Sequence, residues 1–342
     1  MSSSPARSWL AGATCAGAAA ALGLLALPAS AAAMPAGCTG TAPIICQFDV
    51  APGNYDVTAT TGAGTGLSVE TRRRILAPGA AGTYQATVNV RTPQGQPTDP
   101  TAGTPGLTLT FDGTAPSVSA VTVTPASKPL VAYLAGDSTV CDQTTIPYTG
   151  WGQILTASIG PGASIANYSD SGESSASFRA NAALFPTMRP LIRAGDLAFI
   201  QFGHNDKTTT AAAYRDNLTA MVTGVRQQGG IPVLVTPPVR RLFSGSALTE
   251  TALHVNGLGV NLPAEMRAVA AANQVPLIDL TAKSEALVEG LGSSASSRIY
   301  LTTATDGVAD NTHFSEYGAG EMAKLVTDGI RQLQLPLATY LR

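Results

Sequence analysis

Leu130-Val131-Ala132-Tyr133-Leu134-Ala135-Gly136-Asp137-Ser138-Thr139 runs from a continuous apolar segment straight into a small polar turn. A short apolar run without polar alternation suits a strand covered on both faces, as in a parallel sheet. Leu197-Ala198-Phe199-Ile200, Ile231-Pro232-Val233-Leu234-Val235 and Val275-Pro276-Leu277-Ile278-Asp279-Leu280 repeat the pattern. Between and after these runs the period changes to that of an amphipathic helix. Leu218, Met221, Val222 and Val225 fall at i, i+3, i+4, i+7, as do Met322, Leu325, Val326 and Gly329. The alternation predicts an α/β fold: a three-layer α/β/α domain with a parallel sheet over residues 126–342. Polar clusters that follow the strands of such a sheet meet at one edge, where ligands bind.

Upstream the pattern is different. Tyr55–Thr60, Tyr84–Val90, Leu107–Phe111 and Val118–Val123 alternate apolar and polar residues between Gly- and Pro-rich breaks. That predicts a small antiparallel β-sandwich over residues 38–125. Gly62-Ala63-Gly64-Thr65-Gly66 has the glycines of a dinucleotide loop, but the strand-like Leu-Ser-Val-Glu follows it, so it is read as a turn. Residues 1–33 read as an export signal: Arg7, an Ala/Leu-rich run from Leu10 to Leu27, and the small-x-small site Ala29-Ser30-Ala31. Removal of that segment takes Cys15 with it. Cys38 and Cys46 are then expected to pair, leaving Cys141 as a buried thiol.

Four polar clusters could carry chemistry. In the first, Gly136 allows a tight turn that presents Ser138 at the sheet edge; the alternative is a serine capping the next helix. In the second, Asn167-Tyr168-Ser169-Asp170-Ser171-Gly172-Glu173-Ser174-Ser175, Gly172 offers an unhindered backbone N–H, or is merely part of a turn-rich loop. The third, Gln201-Phe202-Gly203-His204-Asn205-Asp206, aims the Asn205 amide at the same edge, with Asp206 expected to stabilise its own turn. Three histidines in the whole chain make a zinc site improbable, and no metal or cofactor is expected. In the fourth, Asp310-Asn311-Thr312-His313-Phe314-Ser315, an Asp and a His three apart in one turn can bond each other and fix the imidazole tautomer. The alternative there is a helix cap on Asp310 or Ser315.

Taken in order, Gly-Asp-Ser, Gly, Gly-x-Asn and Asp-x-x-His resemble the SGNH (GDSL-type) hydrolase superfamily. The closer resemblance is to rhamnogalacturonan acetylesterases and related pectin-deacetylating enzymes. It is carried by Gly136–Gln143, Gly150-Trp151-Gly152-Gln153, Phe202–Asp206 and Asp310–Phe314, and it spans the C-terminal domain. Ala51–Val57 also looks like part of the N-terminal sandwich that some of these esterases carry. The resemblance implies Ser138 as nucleophile, His313 as general base, and Asp310 as the group that orients it. An oxyanion hole would be formed by the N–H of Ser138, the N–H of Gly172 and the side chain of Asn205. One departure stands out: Gly172-Glu173-Ser174 replaces the Gly-Arg-Ser of these relatives, and Ser169 replaces an Ala. A carboxylate at Glu173 would repel an acidic sugar.

The expected activity is therefore that of a secreted serine esterase deacetylating plant cell-wall polysaccharide, with an acetylated polysaccharide or oligosaccharide as partner. The alternatives are esterase or lipase action on other small acyl esters, and a catalytically weak carbohydrate-binding protein. A net charge of −2 with only 12% charged residues gives no reason to expect nucleic acid, and no stable membrane association is expected. Trp151 is read either as a sugar platform or as core, and His254 as an ordinary loop or helix residue.

Overall fold

Leu130–Ala135 is the second strand of a five-stranded sheet, flanked by Ala163–Asn167 at the edge and Leu197–Ile200 on its inner side. Ile231–Val235 and Leu277–Ile278 complete the order, and every neighbouring pair is parallel. Consecutive residues along Leu130–Ala135 enter opposite cores. Val131, Tyr133 and Ala135 pack with Phe178, Tyr214, Leu218, Met221 and Met266, from Ser175–Ala180, Ala211–Gln227 and Leu262–Asn273. Ala132 and Leu134 pack with Trp151, Leu155, Leu280, Val288, Met322 and Val326, from Trp151–Leu155, Leu280–Ala295 and Glu316–Gln332. Apolar on both faces, the strand needs helices on both sides, and the chain supplies them. Strand order reverses between Leu130–Ala135 and Leu197–Ile200, which opens a crevice at their carboxyl ends.

The strand expected over 275–280 is shorter than the apolar run suggests, spanning only Leu277–Ile278. Pro276 has no N–H to give a ladder, and Asp279 caps the following helix by accepting from Ala282 N at 3.3 Å.

The described residues are 34–342 of this computed structural model, and they form one compact unit. The expected export signal and Cys15 lie outside them. Residues 38–125 form two antiparallel sheets. One runs Cys38–Thr39, Ile44–Phe48, Leu107–Asp112, Gly66–Val69, Arg73–Leu76, and the other Gly82–Val90, Gly53–Thr61, Val118–Pro125. Leu107, Leu109 and Phe111 from the first sheet meet Val57, Ala59, Val88 and Val90 from the second in one buried cluster. Burial of each large side chain there is worth roughly 1.5–3 kcal/mol. Cys38 and Cys46 are disulfide-bonded, and Cys141 is a buried free thiol.

A buried ionic seam joins these sheets to the parallel one. Arg73, 1% exposed, donates to Ile165 O at 3.0 Å and to Asn89 O at 2.7 Å, with its Nε 3.4 Å from the Asp142 carboxylate. Ile165 lies on the edge strand of the parallel sheet, so the guanidinium occupies a carbonyl that the edge leaves unpaired.

Candidate active site

Ser138 follows the Leu130–Ala135 strand in a turn and caps no helix; the next helix begins at Trp151. Asp137 fixes the turn, its Oδ1 accepting from Thr139 N at 2.9 Å and Thr139 Oγ1 at 2.7 Å. Its Oδ2 lies 3.2 Å from Nδ1 of His204, whose burial pushes the imidazole below its ordinary value. A neutral His204 therefore donates Nδ1–H to the carboxylate. From the other side, Trp151 Nε1 donates to Gln201 Oε1 at 2.8 Å and Gln201 Nε2 donates to Thr139 Oγ1 at 2.8 Å. The Trp151 ring is fully buried, which corrects the sugar-platform alternative: its indole supports the serine turn from beneath. His254 is also buried, with Nε2 2.7 Å from Pro238 O and its ring against His204.

His313 reaches the serine from the far end of the chain. Its Nε2 is 2.8 Å from Ser138 Oγ, and its Nδ1 is 2.6 Å from Asp310 Oδ2. Asp310 Oδ1 accepts from the backbone N–H of Thr312 at 2.8 Å and of His313 at 3.0 Å. Burial pushes the Asp310 carboxyl up, but the bonds from His313 and the two backbone donors outweigh it and hold the group well below the usual carboxylate range. The segment is not the free turn expected: Asp310–Phe314 pairs irregularly with Tyr300–Leu301 as a short strand. The helix-cap alternative also holds, on Ser315, whose Oγ accepts from Gly318 N at 3.1 Å while Asp310 serves the histidine.

Gly172 sits exposed at φ 82°, and a Cβ there would meet nothing within 4 Å, so conformation alone requires the glycine. Gly203 differs, because a Cβ would press on Pro237 at 2.6 Å. Asn205 Nδ2 donates to Glu173 O at 3.1 Å, which joins the second and third clusters. Asp206 does more than brace its own loop. It accepts from Ser175 Oγ at 2.6 Å and from Ser175 N at 3.2 Å, pinning the start of the helix after Gly172. The structure thus brings Ser138, His313 and Asp310 into one hydrogen-bonded chain, and Gly172 and Asn205 into a second group at the same sheet edge. Among the described residues no hydrogen bond joins Ser138 to Gly172 or Asn205, and no group of three or more His, Cys, Asp or Glu is arranged to hold a metal ion.

Other residues at the site gave little signal in the sequence. Arg240 Nη2 donates to His204 O at 2.9 Å and its Nη1 bonds the Thr312 hydroxyl, while Arg241 N donates to Asn311 O at 2.8 Å. The pair clamps the loop bearing Asn205 to the segment bearing His313. Their place just after the Ile231–Val235 strand was the available clue. Tyr148 stacks its ring edge-on with His313, centroids 5.4 Å apart, and nothing in its surroundings in the sequence marked it.

The GDSL-like lipase/acylhydrolase family profile matches residues 134–320, which begins just before Ser138 and ends beyond His313. This chain belongs to that family. It is 38% identical over 227 residues to the rhamnogalacturonan acetylesterase RhgT of Bacillus subtilis (strain 168), covering 63% of this chain and 95% of that protein. With the probable rhamnogalacturonan acetylesterase YesY of the same organism it shares 35% identity over 216 residues, covering 60% and 94%. Among solved structures, the Bacillus subtilis protein YxiM superposes with a TM-score of 0.54 at 22% identity, over 86% of this chain and 81% of that one. As a member of the GDSL-like acylhydrolases with these relatives, the chain is a carboxylic ester hydrolase.

Proposed function

We infer that this GDSL-like hydrolase is a secreted serine esterase that removes acetyl groups from plant cell-wall polysaccharide, with acetylated rhamnogalacturonan as its substrate. The observation that carries the mechanism is the continuous chain from Ser138 Oγ through His313 to Asp310, at 2.8 and 2.6 Å. Ser138 Oγ attacks the acetyl carbonyl as its proton passes to His313 Nε2. The C–O bond to the sugar breaks, and the leaving oxygen takes that proton. Water, deprotonated by the same imidazole, then attacks the acetyl-serine; acetate leaves and the serine is restored. The oxyanion of each tetrahedral intermediate is received by the N–H groups of Ser138 and Gly172 and the Asn205 amide.

Substrate class rests on the two relatives and on charge. Glu173 speaks against an acidic sugar, but its side chain is half-buried. Lys207 and Arg240 line a cleft of about 360 Å³ together with Asn311 and Thr312, and no carboxylate among the described residues lines it. Two cations next to the segment bearing His313 favour a galacturonate-containing polymer over a neutral one. The Cys38–Cys46 bridge supports export to an oxidising compartment.

The experiment is acetate release from acetylated rhamnogalacturonan, acetylxylan and a long-chain ester, with Ser138→Ala run alongside. Preferred release from the first, abolished by the substitution, is the expected result. Preference for the long-chain ester would replace the polysaccharide reading. Equal rates for Ser138→Ala and the unmodified protein would end the mechanism.

A further inference from the structure

The turn Asp170-Ser171-Gly172 is exposed at its tip, and nothing packs where a side chain of Gly172 would lie. An oxyanion donor on a loose turn contributes little, because the charge must be met without reorganisation. Half of the bonds that fix this turn come from residues 96–98, in the antiparallel segment more than 70 positions upstream. Thr98 donates twice to the Asp170 carboxylate, from its backbone N to Oδ2 at 2.8 Å and from Oγ1 to Oδ1 at 2.9 Å. Gln96 Oε1 accepts from the N–H of Ser171 at 2.6 Å. The catalytic portion adds Asp170 N to Gly136 O at 3.1 Å, a weak Cys141–Ser171 contact at 3.5 Å, and the Asn205–Glu173 bond.

The loop that supplies Gln96 and Thr98 is itself braced. Gln94 Nε2 donates to Gly106 O at 3.0 Å and to Thr108 Oγ1 at 2.8 Å, and Arg91 donates to Gly95 O at 2.7 Å. It can therefore act as a fixed support.

A second arm of the same segment reaches the histidine side. Glu70 and Arg72 hold φ of 51° and 58° in the tight turn between Gly66–Val69 and Arg73–Leu76. Left-handed backbone at two non-glycine residues is costly, and such strain persists where the surroundings impose it. From that turn Arg72 donates to Tyr148 O at 2.9 Å and Gln143 O at 3.2 Å, and Thr71 O accepts from Gln153 Nε2 at 2.9 Å. Tyr148 then meets the His313 ring, and Gln143 Nε2 donates to Ser138 O at 2.8 Å.

We propose that the antiparallel segment is a positioning element of the esterase site: Gln96 and Thr98 hold the turn that presents the Gly172 N–H, and Arg72 holds the loop that sets Tyr148 against His313. The inference rests on the serine-esterase reading above and extends it to residues outside the matched family region.

The test measures kcat and KM on p-nitrophenyl acetate, too small to report polymer binding, with thermal unfolding of each full-length variant. Gln96→Ala and Thr98→Ala are each expected to lower kcat about 10-fold and together about 100-fold, with KM within about twofold. A displacement near 1 Å at a reacting centre carries a cost of that size. The effect falls on kcat because the oxyanion exists only on the reaction path. Thr98→Ser, which keeps the hydroxyl, should restore kcat to within about twofold. Tyr84→Phe removes a remote bond to Ala80 O in the same segment and should leave kcat unchanged. Folded Gln96→Ala with unchanged kcat would overturn the proposal, as would a Thr98→Ser variant no better than Thr98→Ala. Should Thr98→Ala fail to fold, Gln96→Ala and Thr98→Ser decide alone. Ser138→Ala separates the two levels. If it is inactive while Gln96→Ala and Thr98→Ala are normal, only the positioning role falls; if it stays active, the serine mechanism falls first.

Discussion

Asp310 holds His313 by two separate contacts: Oδ2 lies 2.6 Å from Nδ1, and Oδ1 accepts the residue's own backbone N–H at 3.0 Å. The first fixes the tautomer that leaves Nε2 as the acceptor toward Ser138 Oγ, the role the proposed mechanism gives it, and the second fixes where the ring stands. Asp310→Asn keeps the shape but can present an amide N–H to Nδ1, which favours the wrong tautomer. The expected loss in kcat is about 10³–10⁴-fold, with unfolding temperature nearly unchanged, measured by steady-state kinetics and thermal melts. A loss under about 10-fold would mean that Asp310 does not orient the base.

The same carboxyl sets the form of the pH profile. Its position well below the usual carboxylate range keeps Asp310 ionised throughout the working pH range. The carboxyl should therefore add no step of its own to the acid limb of kcat/KM, which should have unit slope on a logarithmic plot. A slope of two would show that a further group, Asp310 first among them, takes up a proton over the same range.

Asn205 and Gly172 contribute differently to the proposed oxyanion hole, and substitution should separate them. Asn205→Ala deletes a donor and frees the Glu173 carbonyl it now binds, so kcat should drop about 10²–10³-fold. Gly172→Ala keeps the backbone N–H and meets no neighbour, but it forces φ 82° on a residue with a Cβ. That strain costs about 1–2 kcal/mol, so a drop of roughly 10-fold is expected as the turn relaxes. Paired kinetics on both variants check the order.

Trp151 belongs to the support of the serine turn. Trp151→Phe removes the N–H that Gln201 Oε1 accepts in a fully buried site, leaving an unpaired acceptor worth about 1–3 kcal/mol. Denaturant unfolding should show that loss, while KM for a polymeric substrate stays the same. A raised KM at unchanged stability would instead return the indole to the substrate surface.

The parallel sheet was legible because its strands are apolar on both faces, a pattern that few other arrangements tolerate. Ser138, Asp310 and His313 were legible as candidates because each sits just past a strand or just before a helix, where polar residues stand out. What could not be read were the supports. Thr98, Gln96 and Arg72 act through contacts across 70 positions or more, and a threonine in a Pro-rich loop looks the same whether or not an aspartate is waiting for it. The strand at Leu277–Ile278 was overestimated for a local reason, the conflict between apolar pattern and the missing N–H of Pro276. Trp151 left both alternatives open because an indole has an apolar body for a core and a polar N–H for a surface.

Glu70, in the strained turn of the antiparallel segment, gives stability a pH dependence of its own. It is 6% exposed, and burial pushes its carboxyl from the ordinary 4.5 up to about 7 against the pull of Arg73. A carboxyl raised on folding is held more tightly as the acid in the native state. Its contribution to stability is thus full below pH 4.5 and is lost as pH rises through 7. The loss amounts to about 3 kcal/mol, because each tenfold gain in proton affinity on folding is worth about 1.4 kcal/mol. Glu70→Gln cannot ionise, so its stability relative to the unmodified protein should climb by up to that amount between pH 4.5 and 8, then level off. Urea unfolding of both proteins across this range checks it. Parallel curves would show that Glu70 keeps its ordinary ionisation in the fold, with Arg73 at 3.7 Å offsetting its burial in full.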